Sequence, residues 1–357
     1  MLYDALYVRG GAEQVTLQLA RDFRAELYCA FRDVAAFPDE MLTGTGLTEL
    51  GTAVHHPVWR TISGLRAFRR HPARGGEYDW IVYSGTTAPV AVRHHPNALN
   101  VYYCHTIPRF IYDLRAYYMQ SLSPWQRPFL AALIRYVQPQ FEAAMARMDT
   151  LVANSENVRA RIRRYLARDA EVVYPPCDVD SYQWREEGDY YLSTARLEPY
   201  KRVDLVVEAF RRMPDKRLVV ASGGSDEVRV RRLAADAPNI TFVGWCDGER
   251  LRALVGGARA TVYIPRDEDF GMSPVESMAA GKPVIGVAEG GLLETVVHEE
   301  TGLLIPAEPS IDDVVCAVQQ LSPSDVRGMR QACEARAALF SADHFRDLMR
   351  KIVRGQR

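Results

Sequence analysis

The chain has 357 residues, 48% hydrophobic and 25% charged, the balance of a water-soluble globular protein with room for two domains of ordinary size. No apolar run approaches the roughly 20 residues that span a bilayer, no signal peptide opens the chain, and the six cysteines lack CxxC or CxxH spacing; a membrane-spanning protein, a zinc site and a disulfide framework are disfavoured, and reduced cysteines in a cytosolic core are expected. Net charge is −1 but uneven: residues 1–175 carry 20 Arg, no Lys and 16 Asp+Glu (+4), the remainder 24 basic and 29 acidic residues (−5), so the first half is expected to face something anionic.

Strand-like apolar runs alternate with helix-like runs, which predicts parallel sheets covered by helices. In the first half, strands are expected at 2–7, 27–31, 80–83, 100–104 and 150–154, with helices at 14–24, 59–70, 124–147 and 155–166. Only nine residues precede Gly10, so the first strand is expected to be short. Pro175-Pro176 breaks the pattern, and a polar run to Asp189 reads as a linker. The second half repeats the alternation. Strands are expected at 190–194, 217–221, 240–243, 260–264 and 283–287, and helices at 203–212, 227–235, 248–256, 275–280, 291–297 and 311–320. Two doubly wound α/β domains in tandem follow, with ligands at the carboxyl ends of the strands and the cleft between domains as the default active site.

The most informative stretch is Asp267 to Glu276, between an apolar strand and a helix. Ser273 reads as the N-cap, Pro274 as the first helical residue and Glu276 as the third. Glu268 and Glu276 then flank a helix start opened by Gly271, whose unpaired N–H groups and about half a positive charge suit a phosphate. A plain capping box between Ser273 and Glu276 explains part of the same pattern. Asp267-Glu268-Asp269 also permits a D-x-D metal reading, but two tandem α/β domains do not suit the transferases that use it.

Arg196 and Lys201 bracket a Pro turn just past a strand, where two cations suit a diphosphate and can offset charge on a departing one; a surface basic loop is the plainer reading. Gly10 and Gly11 lie between a strand and a helix and allow backbone to approach an anion, without a G-x-G-x-x-G fingerprint. His105 ends another strand and is followed by Thr106, Pro108 and Arg109, which points to substrate contact. Trp59, Ile62, Leu65 and Phe68 recur at helical spacing among Arg60, Arg66, Arg69, Arg70 and Arg74. That is the pattern of a basic amphipathic helix at a membrane surface, or of an ordinary helix with its apolar face in the core. With charge near zero and no recognition motif, nucleic acid is not expected as a partner.

Taken together, Glu268-x7-Glu276, Arg196-x4-Lys201, Asn154-Ser155 and Val173-Tyr174-Pro175-Pro176 resemble retaining glycosyltransferase family 4 over nearly the whole chain. Within it, Tyr103-Cys104-His105-Thr106, Pro199-Tyr200-Lys201-Arg202 and Glu268-Asp269-Phe270-Gly271 followed by Pro274-Val275-Glu276 look most like the bacterial O-antigen mannosyltransferases. The resemblance implies the α/β GT-B fold: two Rossmann-like domains facing a central cleft. Residues 1–175 would form the acceptor-binding domain and 176–340 the donor-binding domain, with a helix in 341–357 crossing back to the first.

The resemblance implies that Arg196 and Lys201 bind the donor diphosphate, and that Glu268 and the backbone of Phe270, Gly271 and Met272, beside Ser273, hold the sugar. Glu276 would hold the ribose, Gly10 and Gly11 approach the diphosphate, His105 lie near the sugar, and Gly223, Val243, Gly244 and Trp245 surround the base. Ser222-Gly223-Gly224-Ser225 departs from the family's commoner Gly-x-Gly-Pro. No metal or other cofactor is implied. The expected partners are a nucleotide diphosphate sugar, a glycan or lipid-linked acceptor, and the inner face of the cytoplasmic membrane, reached by Arg60, Arg66, Arg69, Arg70 and Arg109. The expected reaction is metal-independent transfer with retention, mannose from GDP-mannose first and a UDP-sugar second, by a cytoplasmic enzyme peripherally bound to the membrane. A nucleotide-sugar epimerase and a binding module without catalysis are the remaining readings.

Overall fold

A computed structural model describes residues 1–54, 56–70, 78–186 and 188–355, so Arg74 lies outside the described residues. The chain divides into two compact units, Met1–Tyr174 with Arg346–Arg357, and Pro175–Phe345.

The first unit runs β1 (Leu2–Tyr3), α1 (Gly11–Asp22), β2 (Tyr28–Cys29), β3 (Thr48–Glu49), α2 (Pro57–Arg70), β4 (Trp80–Ser84), β5 (Leu99–Cys104), α3 (Arg115–Ser121), α4 (Arg127–Met145), β6 (Thr150–Ala153), α5 (Glu156–Leu166) and β7 (Glu171–Val172). Its sheet has the order β3-β2-β1-β4-β5-β6-β7 with parallel pairing throughout. The central strands are buried on both faces, which is why they read as continuous apolar runs. Strand order reverses between β1 and β4, so the loops after these two strands diverge at one point of the carboxyl edge. That point is held by Asp4. Its buried carboxylate accepts hydrogen bonds from the N–H groups of Thr86, Thr87 and Ala88 at 2.7–2.8 Å and from the Thr87 hydroxyl at 2.9 Å. Burial pushes the Asp4 carboxyl up in pKa, and these bonds act against that.

The apolar face of α2 belongs to this core. Leu65 and Phe68 are fully buried, Ile62 packs against them, and only Trp59 stays exposed. A face already covering the sheet is not available to a bilayer, which removes the amphipathic membrane reading for residues 59–70; 71–74 lie outside the described residues. Arg346 pairs with Asp22 at 3.3 Å, and Met349 and Val353 line a small apolar cavity with Leu19, Phe23 and Trp80, so the end of the chain is built into this first unit.

The second unit runs β8 (Tyr190–Ser193), α6 (Val203–Arg211), β9 (Arg217–Val220), α7 (Glu227–Leu233), β10 (Ile240–Phe242), α8 (Gly248–Gly257), β11 (Thr261–Tyr263), α9 (Met272–Ala279), β12 (Val284–Val287), α10 (Leu292–Thr295), β13 (Gly302–Ile305), α11 (Ile311–Gln320) and α12 (Pro323–Ala338); α13 (Ala342–Val353) begins in it. Its parallel sheet has the order β10-β9-β8-β11-β12-β13, reversing between β8 and β11. Ser310 with Asp313 and Ser322 with Asp325 form reciprocal capping boxes that start α11 and α12.

Residues 175–189 are not a free linker. The Cys177 N–H donates to Phe340 O at 2.8 Å, and the stretch packs as part of the second unit. Cys246 is half-buried and Cys316 exposed, whereas Cys29, Cys104, Cys177 and Cys333 are core residues as expected.

Candidate active site

In the second unit, the loops after β8 and β11 meet at the strand-order reversal, and main-chain hydrogen bonds join them to their neighbours. The Arg266 N–H donates to Tyr200 O at 2.8 Å, linking the loop after β11 to the loop after β8. The Leu197 N–H donates to Gly223 O at 3.0 Å, linking the loop after β8 to the loop after β9. The Gly291 N–H donates to Glu268 O at 2.8 Å, adding the loop after β12. A Cβ at Gly291 would lie 2.4 Å from Phe270 Cα, so only glycine allows that backbone to approach so closely.

Lys201 ends a 3-10 turn, Pro199–Lys201, started by the fixed φ of proline. Its buried ammonium donates to Glu268 Oε2, and the Tyr263 hydroxyl donates to the same oxygen at 3.0 Å, with Lys201 Nζ 3.4 Å from that hydroxyl. Burial works against the Lys201 charge, but the Glu268 carboxylate, with Tyr263 and Tyr200, more than offsets it and raises the pKa. The pairing thus favours the charged ammonium and holds it at one point. Arg196 is exposed, 3.4 Å from the Tyr200 hydroxyl.

Glu268 continues into Asp269, the buried Phe270 and Gly271. Gly271, at φ +93°, is the N-cap of α9, and Met272 is its first residue. Ser273 is therefore the second helical residue, makes no cap, and forms no box with Glu276; the left-handed glycine opens the helix earlier than a serine cap would. The first-turn N–H groups of α9, at Met272 and Ser273, have no intrahelical acceptor and make an anion-favouring end beside Lys201's partner Glu268.

Glu276 lies farther into α9, hydrogen-bonded by the Tyr182 side chain. Burial pushes its carboxyl up in pKa, and the Tyr182 bond partly counters that. A Ser277 Oγ to Thr261 Oγ1 bond of 2.8 Å pins this turn of α9 to β11. Gly223 and Trp245 do come together: a Cβ on Gly223 would meet Trp245 Nε1 at 2.6 Å, and Trp245, after Val243 and Gly244, is 65% exposed.

Tyr263 and Tyr182 escaped the sequence reading. Tyr263 looked like one more apolar strand residue, although it stands just ahead of the acidic loop. Tyr182 lay in the stretch read as a linker. Among the described residues no three His, Cys, Asp or Glu side chains converge as a metal-ligand group.

In the first unit, Gly10 is the N-cap of α1 and Gly11 its first residue, on the carboxyl edge after β1. His105 follows β5 on the same edge. Its ring meets Tyr103 edge-on at 4.9 Å, and its Nε2 is shielded from solvent without a hydrogen-bond partner. Burial lowers its pKa to about 3, so at neutral pH it is an uncharged imidazole. Arg109 is half-buried and paired with Asp113 at 2.8 Å, which Arg161 also approaches at 3.6 Å. Arg60 lies over the Tyr7 ring at 4.0 Å, and Arg69 Nη1 is 3.4 Å from the Tyr136 hydroxyl, while Arg66 and Arg70 are exposed.

Two outcomes test this geometry. Tyr263→Phe removes a donor to the half-buried Glu268 carboxylate while keeping the ring, and should cost about 1.5–3 kcal/mol in urea unfolding; unchanged stability would show the hydroxyl to be idle. For His105, the unfolded chain takes a proton below about pH 6.5 while the native imidazole stays neutral to about 3. Unfolding therefore takes up a proton in that window, and stability falls as pH drops through it. His105→Gln should flatten this slope by up to about 1.4 kcal/mol per pH unit. Parallel slopes for the two proteins would contradict the burial of the ring.

Comparison with known proteins agrees with this architecture. Residues 9–181 match the model described as Glycosyltransferase Family 4, and residues 178–339 the model described as Glycosyl transferases group 1. The chain is 29% identical over 191 residues to D-inositol 3-phosphate glycosyltransferase of Mycobacteroides abscessus, covering 48% of this chain and 43% of that protein. It is 25% identical over 319 residues to alpha-1,3/1,6-mannosyltransferase ALG2 of Mus musculus, covering 78% and 74%. The chain thus spans less than half the length of the first of these relatives and about three quarters of the second.

Among solved structures, sucrose-phosphate synthase from Thermosynechococcus elongatus superposes with a TM-score of 0.77 at 21% identity, covering 99% of both chains. WaaG, a glycosyltransferase involved in lipopolysaccharide biosynthesis, superposes with a TM-score of 0.74 at 15% identity, covering 99% of this chain and 100% of that one. Anabaena HepE in complex with UDP-glucose gives 0.73 at 16%, covering 99% and 98%. These similarities in fold are those of GT-B enzymes with two Rossmann-like units. With both halves matched, the chain belongs to the group 1, family 4-type glycosyltransferases.

Proposed function

We propose that this glycosyltransferase is a retaining hexosyltransferase that moves mannose from GDP-mannose to a glycan or lipid-linked acceptor in envelope polysaccharide synthesis. The observation that carries the diphosphate-sugar part is the Lys201–Glu268 pair, a buried lysine against a half-buried glutamate, beside the open start of α9. Lys201, with Arg196, binds the diphosphate and offsets the charge that builds on it as the bond to the anomeric carbon breaks. Glu268 and the backbone at Phe270–Met272 hold the sugar hydroxyls, and Glu276 holds the ribose. Gly10 and Gly11 approach the diphosphate through the start of α1. His105, neutral at working pH, offers a hydrogen bond to the sugar rather than a charge. The acceptor oxygen bonds to the anomeric carbon on the face the diphosphate leaves, and a leaving phosphate oxygen takes the acceptor's proton, so configuration is retained. No metal is needed in this scheme, because Lys201, Arg196 and the helix start supply the positive field.

Mannose is supported by the mannosyltransferase names among the relatives. A UDP-sugar donor is the second reading, supported by HepE, whose structure holds UDP-glucose. Among the described residues no helix is long and apolar enough to cross a membrane; the proposed location is cytoplasmic, at the membrane surface. A thermal-shift panel of GDP, UDP, ADP and dTDP in EDTA-containing buffer tests the assignment. Stabilisation by GDP alone is the expected result. Stabilisation by UDP alone overturns the mannose reading, and stabilisation that requires a divalent ion overturns the metal-independent scheme.

A further inference from the structure

The ends of β9 and β10 lie side by side, with Val220 opposite Phe242, and the Val243 N–H donates to Val220 O at 3.0 Å. The loops that follow them, 221–226 and 243–247, therefore leave the carboxyl edge of the second unit together. The first is pinned to the loop after β8. The Leu197 N–H donates to Gly223 O, and a Cβ on Gly224 would lie 2.4 Å from Leu197 O. The second turns left-handed at Gly244, φ +70°, and Trp245 comes to lie against Gly223. A Cβ there would meet the indole Nε1 at 2.6 Å, yet the indole is largely exposed. A ring held open to solvent beside a glycine backbone is a platform for a flat aromatic ligand.

A carboxylate oxygen faces the same point. Glu227 Oε2 would lie 3.1 Å from that Cβ on Gly223. Glu227 is the first residue of α7, and its Oε1 accepts from Arg231 Nε at 2.8 Å, one turn on. An acid in the first turn paired four residues on is ordinary helix-surface chemistry. It does not account for Oε2, which points to Gly223 and Trp245 and, among the described residues, accepts no hydrogen bond. The acids around it are committed. Glu198 gives both oxygens to Ser225, Asp226 gives both to Arg229, and Asp247 accepts from the Arg250 N–H to cap α8. The Glu227 side chain is one-third exposed, so a ligand beside Trp245 can reach it.

An ionised carboxylate accepts hydrogen bonds and donates none. Guanine offers it two donors on one edge, the N1–H and the 2-amino group. Adenine offers an amino group beside an N1 lone pair, and uracil one N–H between two carbonyl oxygens, so each sets an acceptor against the carboxylate. From this we infer that Glu227 selects the base of the donor: Oε2 accepts from the N1–H and 2-amino group of a guanine stacked on Trp245, and disfavours adenine and uracil through their acceptor atoms. This deepens the proposed function and rests on its nucleotide diphosphate donor, with the base seated at Gly223 and Trp245. Support for guanine then comes from the chain's own residues and not only from the names of its relatives.

Calorimetric titration of the full chain with GDP, inosine diphosphate, ADP and UDP tests it, on the parent and on variants that unfold cooperatively. The parent should bind GDP most tightly, inosine diphosphate (which lacks only the 2-amino group) less tightly, and ADP and UDP least. Glu227→Ala should shrink the preference for GDP over UDP at least about tenfold, as expected for lost hydrogen bonds to a charged group, without weakening UDP. Trp245→Ala should weaken all four by about fivefold or more, the loss of a stacked base. If Trp245→Ala weakens every nucleotide while the GDP preference survives Glu227→Ala, the base sits at Trp245 and its selection by Glu227 is overturned. If neither variant changes any affinity, the base lies elsewhere, and selection by Glu227 falls with its placement. A parent that binds UDP as tightly as GDP, or binds no nucleotide, overturns the inference together with the GDP-mannose reading.

Discussion

The site depends on one ion pair, a buried lysine against a half-buried glutamate. Lys201 and Glu268 come from loops after adjacent strands, β8 and β11, and Tyr263 donates to the same carboxylate oxygen. Such a pair is a poor source of stability, because removing both charges from water costs about as much as their attraction returns. Its effect is positional: the carboxylate holds the ammonium at one point, so the diphosphate proposed above would spend little binding energy on ordering it. Removing Lys201 would leave Glu268 with the Tyr263 hydroxyl but without its cation, and removing Glu268 would leave a buried ammonium without its carboxylate.

Everything near the pair serves to fix the loops that carry it. Strand order reverses there, so neighbouring loops diverge and would leave backbone groups unpaired. Arg266 to Tyr200, Leu197 to Gly223 and Gly291 to Glu268 close that gap with main-chain bonds. Glycines appear where backbone must pass backbone or turn left-handed, at Gly291 and Gly271. In the first unit Asp4 does the equivalent work with a side chain, tying the end of β1 to the loop after β4. Both units therefore solve the same geometric problem, one with a carboxylate and one with backbone.

The alternation of apolar runs was enough to read the central strands of both parallel sheets, because strands buried on two faces are unbroken; the edge strand β13, at Gly302–Ile305, was missed. The two-residue edge strands β3 and β7 were missed, because unlike the equally short β1 and β2 neither lies fully in the core. Glu268, Arg196 and Lys201 were legible as residue types at strand ends. Their contacts were not: Tyr263 hides as one more large residue in a strand, and Tyr182 in a stretch whose prolines suggested a linker. The start of α9 was misplaced because Ser-Pro is a common helix opening, whereas Gly271 opened it first. The amphipathic pattern of α2 was read correctly as amphipathic, but periodicity cannot say whether a core or a bilayer covers the apolar side.

The most direct test of the central role of Lys201 is calorimetric titration of the parent and of Lys201→Ala, after both are shown to unfold cooperatively, with the nucleoside diphosphate that stabilises the parent and with the matching nucleoside. Loss of a hydrogen bond to a charged group predicts about 1.5–3 kcal/mol weaker binding of the diphosphate, with the nucleoside unaffected. Equal diphosphate affinity in the two proteins would contradict the assignment of Lys201 as the phosphate-binding cation.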